Sequence, residues 1–186
     1  MDTTEKNPVL LKLFGKGVPL KKGYTNKEVK KELVLDLLND AIYAPTHGNR
    51  QPWRFIFVGQ DQLPYFAEKV SRTYPEESQE NRRQYLMEPN AILVVIMEAP
   101  PLPKQWDENF GAVSSMIQNL WLLAWEKQLG MVWKTNPHIY NEKVKELLDV
   151  QEHEKIVGFI HLGYFDEIPA DKGRVSAEEK FTVYKG

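Results

Sequence analysis

Ala44-Pro45-Thr46-His47-Gly48-Asn49-Arg50-Gln51-Pro52-Trp53 is the stretch from which the rest of the chain is read. Two prolines and a glycine rule out a continuous helix here, and hydrogen-bonding side chains crowd between them. Trp53 then opens the apolar run 53–58, which reads as a strand. Pro52 fixes its own φ and restricts Gln51 to extended geometry, so the Gln51 amide is expected to be held in place. A planar polar ligand with donors and acceptors along one edge would suit such a loop. Taken alone, a turn-rich loop of this composition is ordinary.

Upstream, Thr25 followed by Glu28 reads as a capping box opening a helix over about 26–43. Val29, Leu33, Leu37 and Ile42 recur there as one buried stripe. Downstream, Asp61 caps a short helix through Val70, and a polar, charged stretch runs from Tyr74 to Gln84. Ala91 to Met97 is continuously apolar, as a strand covered on both faces would be. Pro100, Pro101 and Pro103 mark a loop. A helix follows over Asn109 to Gln128, with Gly130 at its C-cap. Its middle, Leu120 to Trp125, is apolar on every side, which demands burial on every side. A central core position and a subunit interface both satisfy that demand, and Trp121, Trp125 and Trp133 fit either. Asn141 to Leu148 reads as a short amphipathic helix and Ile156 to Leu162 as another buried strand. The tail 166–186 is polar, with Ser176 and Glu179 as a further capping box. The order of elements is that of an α+β domain with a small sheet beneath helices. A single domain over 1–186 is expected, with 1–17 an N-terminal extension and 166–186 a C-terminal tail.

The totals narrow the function. A chain of 186 residues buries roughly 70% of its unfolded surface, enough for one core. A net charge of −2 argues against a general nucleic-acid binder. With no cysteine there is no disulfide framework, thiolate metal site or thiol nucleophile. The Leu-rich stretch before Gly17 is too short for a spanning helix or a signal h-region, so a cytoplasmic protein without membrane attachment is the expectation. No Gly-x-Gly-x-x-Gly, phosphate-loop lysine or Gly-x-Ser-x-Gly appears. The four histidines, His47, His138, His153 and His161, lack metal-ligand spacing. His161, on a predicted strand, reads as a satisfied structural histidine rather than a ligand.

The loop resembles the nitroreductase family's Ala-Pro-Ser/Thr-x-x-Asn-x-Gln-Pro-Trp signature, with Thr46, His47, Asn49 and Gln51 at its polar positions. Further resemblances follow in the family's order. Asn81-Arg82-Arg83-Gln84 precedes the buried strand. Gln118-Asn119-Leu120 lies in the long helix, and Leu129 to Thr135 resembles the Trp-Arg-Ser/Thr turn after it. Val157 to Tyr164 resembles the last core strand, and Lys172-Gly173-Arg174 the C-terminal Lys-x-Arg that holds the FMN phosphate. The resemblance spans about residues 18 to 180. One landmark departs: where relatives open with Arg-Arg-Ser, this chain has Val18-Pro19-Leu20, followed by Lys21-Lys22-Gly23-Tyr24. Lys22 and Tyr24 fall on the family's last Arg and its aromatic.

The resemblance implies a nitroreductase-like α+β fold, with a small, mostly antiparallel sheet flanked by helices and a long central helix at a homodimer interface. It implies FMN bound at that interface, reduced by NADH or NADPH and reoxidised by a small aromatic acceptor such as a nitroaromatic or quinone. The chemistry belongs to the cofactor, so no classical catalytic side chain is expected. On this pattern Lys22 is a cation near the flavin's pyrimidine edge, and Thr46, His47, Asn49 and Gln51 face the ring. Asn81 contacts the ring edge or ribitol. Gln84 stands where some relatives carry Lys, which removes a second cation. Trp133, Lys134 and Thr135 line the site, with plain core packing an equal reading for Trp133. Lys172 and Arg174 take the phosphate, with Lys16 and Lys21 as further cations. Residues 65–85 and 100–106 would cover the pocket. Two other functions fit the same residues. One is an FMN-binding store or sensor without turnover; the other is an interaction domain whose Trp-rich helix only dimerises.

Overall fold

The computed structural model describes Pro19, residues 23–168, Ala170 and residues 173–185. Strand β2 (Ala91–Glu98) is buried along its length except at Glu98. A strand with no wet face must be covered twice, and the architecture follows from that. The sheet order is β1-β2-β4-β3, with β1 Trp53–Val58, β3 Leu129–Lys134 and β4 Glu154–Tyr164, and every adjacent pair is antiparallel.

Alternation along β2 sorts the core. Ala91, Leu93, Val95 and Met97 pack with the buried stripes of helices α1 (Lys31–Ala41) and α4 (Pro103–Glu126). Ile92, Val94 and Ile96 point the other way, toward α2 (Leu63–Ser71), α3 (Glu76–Met87) and α5 (Glu142–Leu147). The partner β4 carries a bulge. Val95 pairs with Gly158 but Ile96 with Ile156, leaving Val157 unpaired. The extra residue inverts the alternation: Val157 itself faces α1 and α4, and beyond it the even-numbered Ile160 and Leu162 do so. The result is helix–sheet–helix, the expected α+β fold with an antiparallel sheet.

Several boundaries differ from the sequence reading. The first helix starts at Lys31, not near Asn26, and Thr25 does not cap it. The Thr25 N–H instead donates to the Tyr164 carbonyl at 2.8 Å, and Tyr24 bridges Phe165, so this segment is stitched to β4 and cannot turn helical. The short second helix begins after Gln62 rather than being capped by Asp61. The polar stretch after Tyr74 is mostly helix α3, with Glu76 and Glu77 suiting its N-terminal dipole. The long helix starts at Pro103, where a proline at N1 sacrifices no bond. Gly130 is no C-cap: it lies inside β3, a strand the sequence reading lacked, and Gln128 (φ 56) makes the left-handed turn instead. In the tail, Ser176 does cap a turn, Ala177–Lys180, by accepting from the Glu178 N–H; the turn is 3-10 rather than α.

Gly163 makes one junction possible. A Cβ there would stand 2.3 Å from Tyr24 Cδ1 and 2.5 Å from Asn90 Oδ1. Asn90 in turn donates to the Thr25 carbonyl at 2.7 Å and accepts from the Tyr164 N–H at 3.2 Å. Gly163→Ala is therefore expected to destabilise the fold by about 1–3 kcal/mol through overpacking. Urea unfolding would read this as a lower midpoint at constant slope, and an unchanged midpoint would refute the junction.

Candidate functional site

The loop between α1 and β1 stores backbone strain. Gly48 (φ 58), Asn49 (φ 54) and Gln51 (φ 48) all lie in the left-handed region. Glycine and asparagine tolerate it; glutamine does so only when its surroundings hold it. Gln51 is thus not extended, contrary to the expectation from Pro52. Pro52 disfavours the right-handed helical region for Gln51, and two hydrogen bonds hold the turn: Gln51 N–H to Thr46 Oγ1 at 3.2 Å, and Trp53 N–H to the Gln51 carbonyl at 2.8 Å. The Gln51 amide donates to Asn49 Oδ1 at 3.2 Å.

Helix α4 clamps this loop. Arg50 donates to Glu108 Oε2 at 2.5 Å and to Asn109 Oδ1 at 3.2 Å, and Asn109 donates to the Glu98 carbonyl at 3.0 Å. His47 Nδ1 and Lys104 Nζ stand 3.8 and 3.9 Å from the same Glu108 carboxylate. The Arg50 hydrogen bond, aided by the His47, Arg50 and Lys104 charges, holds the Glu108 carboxyl below its ordinary range. Arg50, Glu108 and Asn109 were missed in the sequence. The available signal was an amide on the apolar stripe of α4, where Asn109 is 1% exposed.

A second element is an open cleft of about 550 Å³, lined by Tyr85, Val132, Trp133, Lys134, Thr135, Asn136 and Pro137. Residues at the end of β3 alternate: Trp133 turns toward α4 and Lys134 toward α3. The Trp133 indole lies over Gly158, where a Cβ would strike it, and donates to the Val157 carbonyl at 3.1 Å. Trp133 is therefore both core and cleft wall. Phe110 tilts against it at 6.5 Å and stacks on Trp106 at 5.2 Å. Across the cleft, Tyr85 donates to Asn136 Oδ1 at 3.1 Å, and Lys134 Nζ stands 5.0 Å from the Tyr85 ring centre. Burial and then the Glu88 charge push the Tyr85 hydroxyl up to about 12. Burial lowers the Lys134 ammonium, with Glu88 opposing.

Trp133, Lys134 and Thr135 are thus brought together. Asn81 and Gln84 share helix α3 with Tyr85, but both are exposed and neither lines the cleft; Gln84 donates to Glu80 at 2.8 Å. The side-chain partners of Thr46, His47, Asn49 and Gln51 lie within their own loop or on Glu108. Arg174 sits in the exposed tail, donating to the Gly173 carbonyl at 2.7 Å. Lys16, Lys21, Lys22 and Lys172 lie outside the described residues.

Two histidines lie on the α3 side of the sheet. His161 packs against Tyr85 with ring centres 5.2 Å apart, and His138 against Phe159 at 4.3 Å. His161 packs in the core rather than being hydrogen-bonded there as expected: among the described residues, Nε2 of both rings is buried without a partner. Burial and then Arg82 lower His138 to about 4; burial and then the Lys134 and His138 charges lower His161 to about 3.

Two outcomes follow from these polar groups. Asn109→Ala removes the buried amide that ties the Glu98 carbonyl to Arg50, and should lower stability by about 1–3 kcal/mol at constant denaturant slope. The buried histidines stay neutral in the folded chain while the unfolded chain protonates them near about 6.5. Below that pH the unfolded state holds more protons. Stability should fall as the pH drops from about 6.5 toward 4, by up to about 1.4 kcal/mol per pH unit per ring. His161→Phe should flatten that decline in urea midpoints, and an unchanged slope would count against it.

Known proteins share this fold. The model of the Nitroreductase family matches residues 21–164. The Bacillus subtilis protein YfhC, provisionally named an NAD(P)H nitroreductase, is 34% identical over 167 residues, 86% of each chain. The crystal structure of a nitroreductase-like family protein from Bacillus cereus superposes with a TM-score of 0.89 at 31% identity, covering 99% of this chain and 100% of that one. A provisionally named nitroreductase from Desulfovibrio desulfuricans, solved in complex with FMN, shares the fold at 20% identity and a TM-score of 0.76, covering 98% of this chain and 100% of that one. On the family match and the 34% identical relative together, this chain belongs to the nitroreductase family.

Proposed function

We propose that the chain is a one-domain, cytoplasmic FMN-dependent oxidoreductase that works as a homodimer. It passes a hydride from NAD(P)H through bound FMN to a nitroaromatic, quinone or similar small acceptor. The observation that carries this reading is the cleft of Tyr85 and Trp133–Pro137, whose donors suit a flat ligand with a polar rim. Aromatic walls flank an ammonium, the Asn136 amide and the Thr135 hydroxyl. FMN, when bound, supplies the two-electron chemistry; the protein supplies position and electrostatics.

The cleft and the strained loop are separate elements of one protomer, and we assign them to one site built from two chains. Trp133, Lys134 and Thr135 hold the ring on one side, with Asn81 and Gln84 flanking. Thr46, His47, Asn49 and Gln51 of the second copy close it. Lys22 is assigned to the pyrimidine edge, and Lys172 and Arg174 to the phosphate. Two features support the dimer. Trp121, Leu122, Leu123 and Trp125 on α4 are only partly covered within the protomer. The tail exposes Ile168, Val175, Phe181, Val183 and Tyr184, a row of apolar side chains that a second copy would cover. Among the described residues no helix is long and apolar enough to cross a membrane.

The test is spectroscopic. Protein purified with FMN and freed of excess cofactor should keep a flavin band near ~450 nm that anaerobic NADH or NADPH bleaches, the faster donor being the physiological one. Light scattering should give a mass near twice 21.7 kDa. A retained band that neither donor bleaches identifies a binder without turnover. A colourless protein that FMN does not stabilise overturns the proposal.

A further inference from the structure

We infer that Lys134 is the cation this cleft offers to the anionic edge of bound, reduced FMN, standing in for the charge that Gln84 does not supply. The inference rests on the proposed FMN site. Lys134 ends β3 on the cleft side, with its ammonium 5.0 Å from the Tyr85 ring centre. No carboxylate among the described residues forms an ion pair with it. An aromatic face compensates only part of an ammonium's lost hydration, and Glu88 acts on it only from beyond ion-pair distance, so among the described residues the ammonium has no contacting counter-charge until a ligand brings one. The lowered basicity of Lys134, caused first by burial, agrees with that deficit.

Helix α3 explains why the charge comes from β3. Gln84 is exposed and hydrogen-bonded to Glu80, so the residue that α3 turns into the cleft is the neighbouring Tyr85. Tyr85 is then the surface over which Lys134 is held, and its hydroxyl is fixed on Asn136. The chemistry of the ring supplies the anion. Accepting a hydride adds two electrons and one proton to a neutral ring system, so one negative charge remains on the pyrimidine edge. A fixed ammonium therefore favours the reduced form over the oxidised one, which is stabilisation only where charge develops.

The experiment compares wild type, Lys134→Met and Lys134→Arg. For each, the dissociation constant of oxidised FMN and the midpoint potential of the bound flavin are measured. In Lys134→Met, reduced FMN should weaken about tenfold more than oxidised FMN, which for a two-electron couple is a fall of about 30 mV. Lys134→Arg should keep the wild-type potential, an outcome a packing role would not predict. An unchanged potential in Lys134→Met overturns the inference while leaving the FMN site intact. So does an unchanged potential with a raised KM for a carboxylate-bearing acceptor, which would assign the anion to substrate. Wild type without FMN affinity overturns both this inference and the proposed function.

Discussion

Strand β2 is buried on both faces, so whatever pairs with it or covers it must be apolar on the side it presents. That requirement orders the molecule. Its two residue sets, split by simple alternation, recruit α1 and α4 on one face and α2, α3 and α5 on the other. A fully buried aliphatic side chain contributes about 1.5–3 kcal/mol, so a strand with so many is the densest source of stability in the chain. The β4 bulge at Val157 matters for the same reason. It lets β4 switch parity in mid-course, so that Ile156 and Phe159 fill one layer while Val157 and Ile160 fill the other. The same bend brings the Val157 carbonyl to the Trp133 indole and leaves Gly158 as the floor beneath it. Core geometry and cleft geometry are one arrangement at this point.

How far this was legible in the sequence depends on the range of the interaction. The two-faced strand at 91–97 and the final strand were readable because burial on both sides writes a continuous apolar run. Helix α3 was not, because it buries only Leu86 and is otherwise a charged surface helix with no stripe to find. Strand β3 was hidden by Gly130, which mimics a helix stop although its neighbours pair with β4. The Thr25 capping box failed because a local signal worth about 1 kcal/mol lost to a strand-like attachment at Tyr164 that no local window contains. The site divided in the same way. Trp133, Lys134 and Thr135 were found by resemblance and do line a cleft. Arg50, Glu108 and Asn109 were invisible because their meaning lies in a contact across some 58 residues of chain.

The strained loop shows how such contacts serve a site. A left-handed glutamine is tolerable only if its alternatives are worse, and here the backbone is tied at both ends of the turn. Arg50 then ties the turn to Glu108 and Asn109, and Asn109 ties it to the end of β2. The hydrogen bonds thereby tie the loop's backbone and the Arg50 side chain without any ligand, so little ordering would remain to be done at the proposed half-site. Preorganisation of that kind is what a ligand site requires, and here it would come from a charge-assisted clamp rather than a buried apolar contact.

Helix α4 connects these parts. At about 1.5 Å per residue its 24 residues form a rod of roughly 36 Å. Its first half carries Glu108 and Asn109, which fix the loop, and Phe110, which backs Trp133. Its inner stripe lies on β2, whose neighbour β4 pairs with the cleft strand β3. Its second half leaves Trp121, Leu122, Leu123 and Trp125 partly uncovered. A partner seated on that second half is therefore referenced through one rigid element to the loop at the other end. In a dimer each chain's loop would be positioned relative to the other chain's cleft by two such rods, rather than by the flexibility of either segment. The apolar middle of α4, which on sequence fitted a core or an interface equally, would then serve as both: its inner side holds the sheet, and its outer side would set the distance between the two proposed half-sites.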